Sequence, residues 1–225
     1  MRHLFLAVLA ALAAMLCMTP LARGASLEDG VRLVAPTQSF DGRTGGELLG
    51  DVWGRIYAEP RPDNPWFGNG DPCTRMGSTG NVVFIAHNES LCTVHEGTLV
   101  LIHALFATCD NVSPPPDYGA DEATQRACAL AYTGGVQVGL VSVDGGEPFD
   151  LRKARYGVYS PQRAVQLPAA NFLGIPPQPA TFTAHGWVAV LAGLRPGVHT
   201  IRAENTFADG SYIFTKLVNV LPNDD

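Results

Sequence analysis

Along residues 187–220 apolar and polar positions alternate with a period of two. Within 198–207, His199, Ile201, Ala203, Asn205 and Phe207 fall on one side, and Thr200, Arg202, Glu204 and Thr206 on the other. One mainly apolar face and one polar face is the pattern of a half-buried strand. Similar runs at 187–191 and 212–221 flank it, separated by Leu194-Arg195-Pro196-Gly197 and by Ala208-Asp209-Gly210. Asp-Gly between two alternating runs predicts a hairpin. The segment 98–108, TLVLIHALFAT, behaves differently. Leu99, Leu101 and Leu105 point one way, and Val100, Ile102 and Phe106 the other. A strand apolar on both faces belongs in the middle of a packed structure.

Shorter strands are expected at 82–86, 91–94, 136–143, 149–151, 156–159 and 164–167, with Asp144-Gly145-Gly146 as a hairpin turn. Two segments carry helical spacing instead. Thr44-Gly45-Gly46-Glu47 matches a capping box. Leu49, Val52, Trp53, Ile56 and Tyr57 then form one stripe, which Pro60 and Pro62 end. Asp121 caps a second helix over 122–132, and Gly134-Gly135 stops it. Many short strands, frequent Gly/Pro turns and two short helices predict a mainly β chain. The expected fold is an immunoglobulin-like or jelly-roll-like β-sandwich with long disulfide-stapled loops. It forms a single domain over 44–225, behind a flexible lead-in at 25–43.

Composition changes the picture first at the N-terminus. Arg2 and His3 precede an apolar run at 4–18, and Ala22-Arg23-Gly24 places small residues before a cleavage point after Gly24. Residues 1–24 read as a signal peptide, because the run falls short of the roughly 20 residues a membrane span needs. Cys17 raises a lipoprotein alternative, disfavoured by the bulky Leu16 before it. No later stretch predicts a span. Cleavage removes Arg2 and Arg23 and no acid, which moves the formal net charge from −6 to −8, 13 basic residues against 21 acidic. An acidic exported chain with no basic tract is a poor nucleic-acid binder.

Cleavage also leaves four cysteines, Cys73, Cys92, Cys109 and Cys128. An even number in an oxidising compartment implies disulfides. Three pairings are open; Cys73–Cys92 with Cys109–Cys128 is favoured because each closes a local loop of equal length. A zinc site is disfavoured by the lack of any Cys-x-x-Cys pair.

Candidate chemistry concentrates in two places. The loop at 60–81 gathers Asp63, Asn64, Trp66, Asn69 and Asp71, with Phe67 beside them. Packing onto the sandwich is one reading; a polar-aromatic surface for a glycan, or an oxygen-rich calcium site, is the sharper one. The acid spacing does not match an EF-hand loop. The second place is His103, on the leucine face of the central strand. It reads either as a buried core histidine or as a general base working with Asp110. Arg152, Lys153 and Arg155 read as a solvated strand face. No Gly-x-Ser-x-Gly elbow, His-Glu-x-x-His helix, P-loop or dinucleotide motif is present, and no metal or cofactor is implied. The remaining histidines, His87, His95, His185 and His199, are scattered.

The order of several motifs resembles an uncharacterised family of secreted bacterial disulfide-containing β-sandwich proteins. The matching pieces are Asn64-Pro65 leading to Cys73, Cys92-Thr93-Val94 before an apolar strand ending at Cys109, and Arg126-Ala127-Cys128-Ala129 on a short helix. Leu173-Gly174-Ile175-Pro176-Pro177 and Leu194-x-Pro196-Gly197-x-His199-Thr200-Ile201 complete them, so the likeness covers most of 47–221. The last piece is also similar to bacterial immunoglobulin-like modules, where the histidine supports the strand turn. The resemblance implies export, disulfides and an all-β architecture, and brings no activity. The expected function is a secreted or periplasmic, non-enzymatic protein that binds a glycan or surface partner through the 64–71 loop. The rivals are a hydrolase using His103 with Asp110, and a structural envelope component.

Overall fold

A computed structural model describes residues 25–28, 30–86 and 90–223. The expected signal peptide with Cys17, and the His87-Asn88-Glu89 turn, lie outside the described residues. In chain order the elements are β1 (Ala25–Glu28), β2 (Val31–Val34), β3 (Ser39–Phe40), β4 (Arg43–Thr44), α1 (Gly45–Ala58), β5 (Cys73–Met76), β6 (Val82–Ile85), β7 (Leu91–His95) and β8 (Leu99–Asp110). They continue as α2 (Glu122–Gly134), β9 (Val138–Val143), β10 (Phe149–Asp150), β11 (Gly157–Tyr159), β12 (Arg163–Gln166), β13 (Pro179–Ala192), β14 (Gly197–Phe207) and β15 (Gly210–Leu221). One sheet runs β1-β2-β13-β8-β6-β5, with β11 and β12 also pairing along β13, and the other runs β10-β9-β14-β15-β7. The protein is a mainly β, disulfide-containing sandwich with two helices.

The two central strands of the larger sheet are apolar on both faces because both faces are covered. Val100, Ile102 and Ala104 of β8 and Ala189 and Leu191 of β13 meet Val141, Ile201, Ala203, Val218 and Val220 of the second sheet. On the other face Leu48, Leu49, Val52 and Ile56 of α1 pack on Leu101, Phe106, Ala184, Val188 and Val190. The capping box closes as predicted: the Thr44 hydroxyl accepts from the Glu47 N–H at 3.3 Å, and the Glu47 carboxylate accepts from the Thr44 N–H at 2.8 Å.

The pairing of β8 with β13 corrects one expected face. His103 pairs with Val188 and Leu105 with Trp187, so Ala104 is an extra residue in a β-bulge. The inserted residue shifts the alternation by one. Phe106 therefore joins Leu101 on the helix side, rather than Val100 and Ile102 between the sheets. The lead-in is also not separate from the domain. Within 25–43, β2 pairs with β13 through Leu33↔Leu191 and Val34↔Val190, and Leu33 is fully buried. Four residues are too few for their alternation to stand out; burial against β13 supplies what periodicity does not.

Both disulfides pair as favoured. Cys73–Cys92 joins β5 in one sheet to β7 in the other, with Cα atoms 5.4 Å apart. Cys109–Cys128 ties the end of β8 to α2, at 6.0 Å. On the loop-entropy model each contributes roughly 3 kcal/mol. No helix of the described residues is long and apolar enough to cross a membrane.

The Pro-Gly turn before β14 is held by His199. Its Nδ1 lies 2.7 Å from Asp144 Oδ2 and its Nε2 2.7 Å from the Arg195 carbonyl, while the Thr200 N–H donates to Asp144 Oδ1 at 2.7 Å. Burial pulls this imidazole's pKa down, but hydrogen bonds to Asp144 and Arg195 and the Asp144 charge outweigh it, and the net shift is upward. A raised folded pKa stabilises fully below the unfolded value of about 6.5 and loses that contribution as pH rises through the folded value. His199→Gln should therefore cost up to about 1 kcal/mol at pH 6, discounted for solvent screening. The difference in urea midpoint from wild type should shrink by pH 8.5. A difference that grows with pH would refute this role.

Candidate functional site

The loop that leaves α1 is wound tightly on one residue. Pro60 and Pro62 end the helix, and the chain turns through a 3-10 segment at Arg61–Asp63 onto Asn64. Asn64 is fully buried. Its amide donates to the carbonyls of Ile56 at 2.7 Å and Glu59 at 3.4 Å, which closes the end of α1. Its side-chain oxygen accepts from the N–H groups of Trp66 at 2.9 Å and Phe67 at 3.0 Å. Gly68 and Gly70 complete the coil: a Cβ at either would run into the backbone carbonyl of Arg61 or Asp63.

The five residues expected to bind therefore divide. Asn64 is spent inside the fold. Trp66 is half-buried, packed against Phe84, His103 and Phe106 with ring centroids 5.4 to 6.2 Å away. Asp63, Asn69 and Asp71 are exposed, and Asp71 accepts from the Cys73 N–H at 2.8 Å. The aromatic that this loop presents to solvent is Phe67, 40% exposed.

Phe67 leads into a cleft of about 170 Å³. Trp53 and Tyr57 of α1, Thr108 and Asp110 of β8, Ser113 and Asp117 of the proline-rich loop, and Phe172 and Leu173 of the 168–178 loop line the rest. Phe67 stacks on Phe172 with centroids 4.8 Å apart and planes 6° apart. Phe172 meets Tyr57 edge-on at 5.0 Å, and Tyr57 stacks on Phe182 at 4.8 Å. The Tyr57 hydroxyl donates to Asp110 Oδ2 at 2.7 Å. Burial, and then the Asp110 charge, hold the Tyr57 pKa well above its ordinary value. Asp110 also accepts from the Ser113 hydroxyl at 2.9 Å and from the N–H groups of Val112 at 2.8 Å and Ser113 at 2.6 Å. With four donors it anchors the loop that carries Asp117. Asp117 is exposed and accepts from the Tyr132 hydroxyl at 2.5 Å, a bond that pushes the Tyr132 pKa up to about 12.

His103 does not reach this cleft, which corrects the expected His103–Asp110 pair. Both lie on β8, seven residues apart, which is about 23 Å at 3.3 Å per residue. His103 is 6% exposed, and neither ring nitrogen has a well-formed hydrogen bond among the described residues. Its ring meets Phe106 edge-on at 4.2 Å. Burial, followed by the nearby Lys216 charge, pushes its pKa well below 6.5.

Lys216 itself was not predicted. It sits on the inward face of β15 between Phe214 and Val218, its ammonium donates to the carbonyls of Ile85 and Ala86, and it lies 5.2 Å from the centre of the Phe84 ring. Burial lowers its pKa to about 7. The inward alternation of 214, 216, 218 and 220 is the one signal that would have placed it. Arg152, Lys153 and Arg155 are exposed, but in the turn and 3-10 segment after β10 rather than on a strand face; Arg152 pairs with Asp150 at 3.0 Å. Among the described residues no three His, Cys, Asp or Glu side chains converge as a metal site would require.

No family model matches this chain. No curated protein matches it. Among solved structures, the solution structure of amebosin is similar over 62% of this chain and 96% of its own, with 14% identity and a TM-score of 0.25. The structure of PbICP-C in complex with falcipain-2 is similar over 63% of this chain and 98% of that chain, with 10% identity and a TM-score of 0.24. At these TM-scores neither likeness bears on fold or function.

Proposed function

We propose that this is an exported, non-enzymatic binding protein whose aromatic cleft takes a sugar unit of a glycan. The observation that carries the reading is the Phe67–Phe172 stack, part-exposed at a small cleft with carboxylates beside it. Ring faces carry negative potential and attract the polarised C–H groups on the flat side of a pyranose. Carboxylate oxygens accept from sugar hydroxyls. The volume is below the roughly 300 Å³ of a drug-sized pocket, which suits one ring rather than a long ligand. Export through a cleaved signal peptide belongs to the same reading. The two disulfides support it, since they need an oxidising compartment. The likeness to secreted bacterial β-sandwich proteins points the same way.

A glycan array on the mature protein, followed by calorimetry on any hit, tests this. Phe67→Ala should weaken binding at least about tenfold, the order of one lost aromatic contact worth about 1.4 kcal/mol. Because Phe67 is part-exposed, the melting temperature should move little. A blank array, or hits indifferent to Phe67→Ala, would remove the proposal.

A further inference from the structure

The charge of the cleft narrows the ligand further, on the reading just given. Two carboxylates border it, Asp110 and Asp117, and among the described residues no lysine, arginine or histidine lines it. The ion pairs of the described residues fall on Asp51, Glu59, Glu122, Asp150, Asp144 and Glu204, and none reaches Asp110 or Asp117. Asp110 is 1% exposed, and every group that stabilises it is a neutral donor: two hydroxyls and two backbone N–H groups. The cleft therefore holds negative charge with no cation to balance it. The other large side chains in it are Trp53, Tyr57, Phe67 and Phe172, whose ring faces also attract cations.

An anionic sugar would meet like charge there. A neutral sugar would leave that charge unanswered. A sugar bearing a free amine answers it, because its ammonium has three donors for carboxylate oxygens and is drawn to ring faces. We infer that the cleft selects an amino sugar with a free amine, the ammonium set against Asp117. Asp117 is the partner because it is exposed, whereas Asp110 already has four donors. The Tyr132 hydroxyl on Asp117 fixes the carboxylate without neutralising it.

The test is a titration of the mature protein, followed by NMR of the Tyr57 and Phe67 ring protons. The probes are glucosamine oligomers, their N-acetylated forms, neutral glucose oligomers, and tetramethylammonium as a bare cation. The amine form should bind at least about tenfold more tightly than the other two sugars. Asp117→Asn should bring the three sugars to near-equal affinity, and tetramethylammonium should move the same ring signals. Equal affinity for all three sugars in the wild type would overturn the inference about charge while the sugar reading stands. Tetramethylammonium shifts with no sugar bound would leave the charge assignment in place and remove the sugar reading. An amine preference untouched by both Asp117→Asn and Phe67→Ala would overturn the site, since the acidic surface as a whole would then attract the ligand.

Discussion

Asn64→Ala is expected to lower the stability of the folded protein by about 3 kcal/mol and to abolish binding at the cleft. Alanine would leave the Ile56 and Glu59 carbonyls and the Trp66 and Phe67 N–H groups without their present partner. A buried polar group left unpaired costs about 1–3 kcal/mol. Water entering the vacated space recovers part of the sum for four groups. For a domain of this size the melting temperature should fall by about 6–12 °C. The same side chain sets the position of Phe67, so the stack on Phe172 should loosen even in molecules that remain folded. Asn64→Asp separates the two halves of the role. It keeps the acceptor for Trp66 and Phe67, loses the donor to the helix end, and adds a negative charge near the negative pole of α1. It should destabilise at least as much as alanine, because a fully buried carboxylate would face the Ile56 and Glu59 carbonyl oxygens. A loss below about 1 kcal/mol for Asn64→Ala in urea unfolding would show that Trp66 packing, and not Asn64, holds the loop.

Acid is the second large effect. His185 is 4% exposed, lies 2.5 Å from the Thr133 hydroxyl on α2, and has its pKa pushed down to about 4 by burial. His103 is pushed down too, by burial first and then by Lys216. A histidine held neutral in the fold binds its proton only after unfolding. Between the folded pKa and the unfolded value of about 6.5 the unfolded chain therefore holds more protons, and stability falls as pH falls. For His185 the full shift corresponds to about 3 kcal/mol, nearer 2 once some solvent access is allowed for. The window, pH 6.5 down to 4, lies above the range in which Asp41, held at about 2 by its hydrogen bonds to Ser78 and Thr79, gains its proton. His199 has the opposite sign and acts above pH 6.5. Urea midpoints at pH 7 and 4.5 should differ strongly in the wild type. His185→Gln, which can still bond Thr133, should flatten that difference. An unchanged difference in the variant would assign the acid sensitivity elsewhere, with His103 the next group to replace.

How far each element was legible follows from how local its cause is. The capping box of α1, the Asp121 cap, the Ala208-Asp209-Gly210 hairpin and the stripe of α1 are fixed by residues within a turn or two of each other, and each formed where its pattern lay. The disulfide pairing was legible because short loops close with the least entropy. Phe106 was misplaced because a bulge is set by the partner strand: Trp187 and Val188, some eighty residues away, decide that Ala104 is extra. Asp110 was named for the wrong partner. Its neighbours are Tyr57, 53 residues earlier, and its own loop, while His103 lies along the same strand and out of reach.

The sequence by itself determined the β class, both helices, the four-cysteine framework and the region between residues 60 and 128 that supplies most of the candidate surface. It determined them because propensity, alternation and loop closure act over short stretches of chain. The cleft was decided only by tertiary structure. Its walls come from α1, the Asn64 loop, the end of β8, the proline-rich loop and the 168–178 loop. No short-range pattern records that these three separate stretches of chain, 53–67, 108–117 and 172–173, meet; burial of Tyr57, Phe172 and Phe182 against one another brings them together.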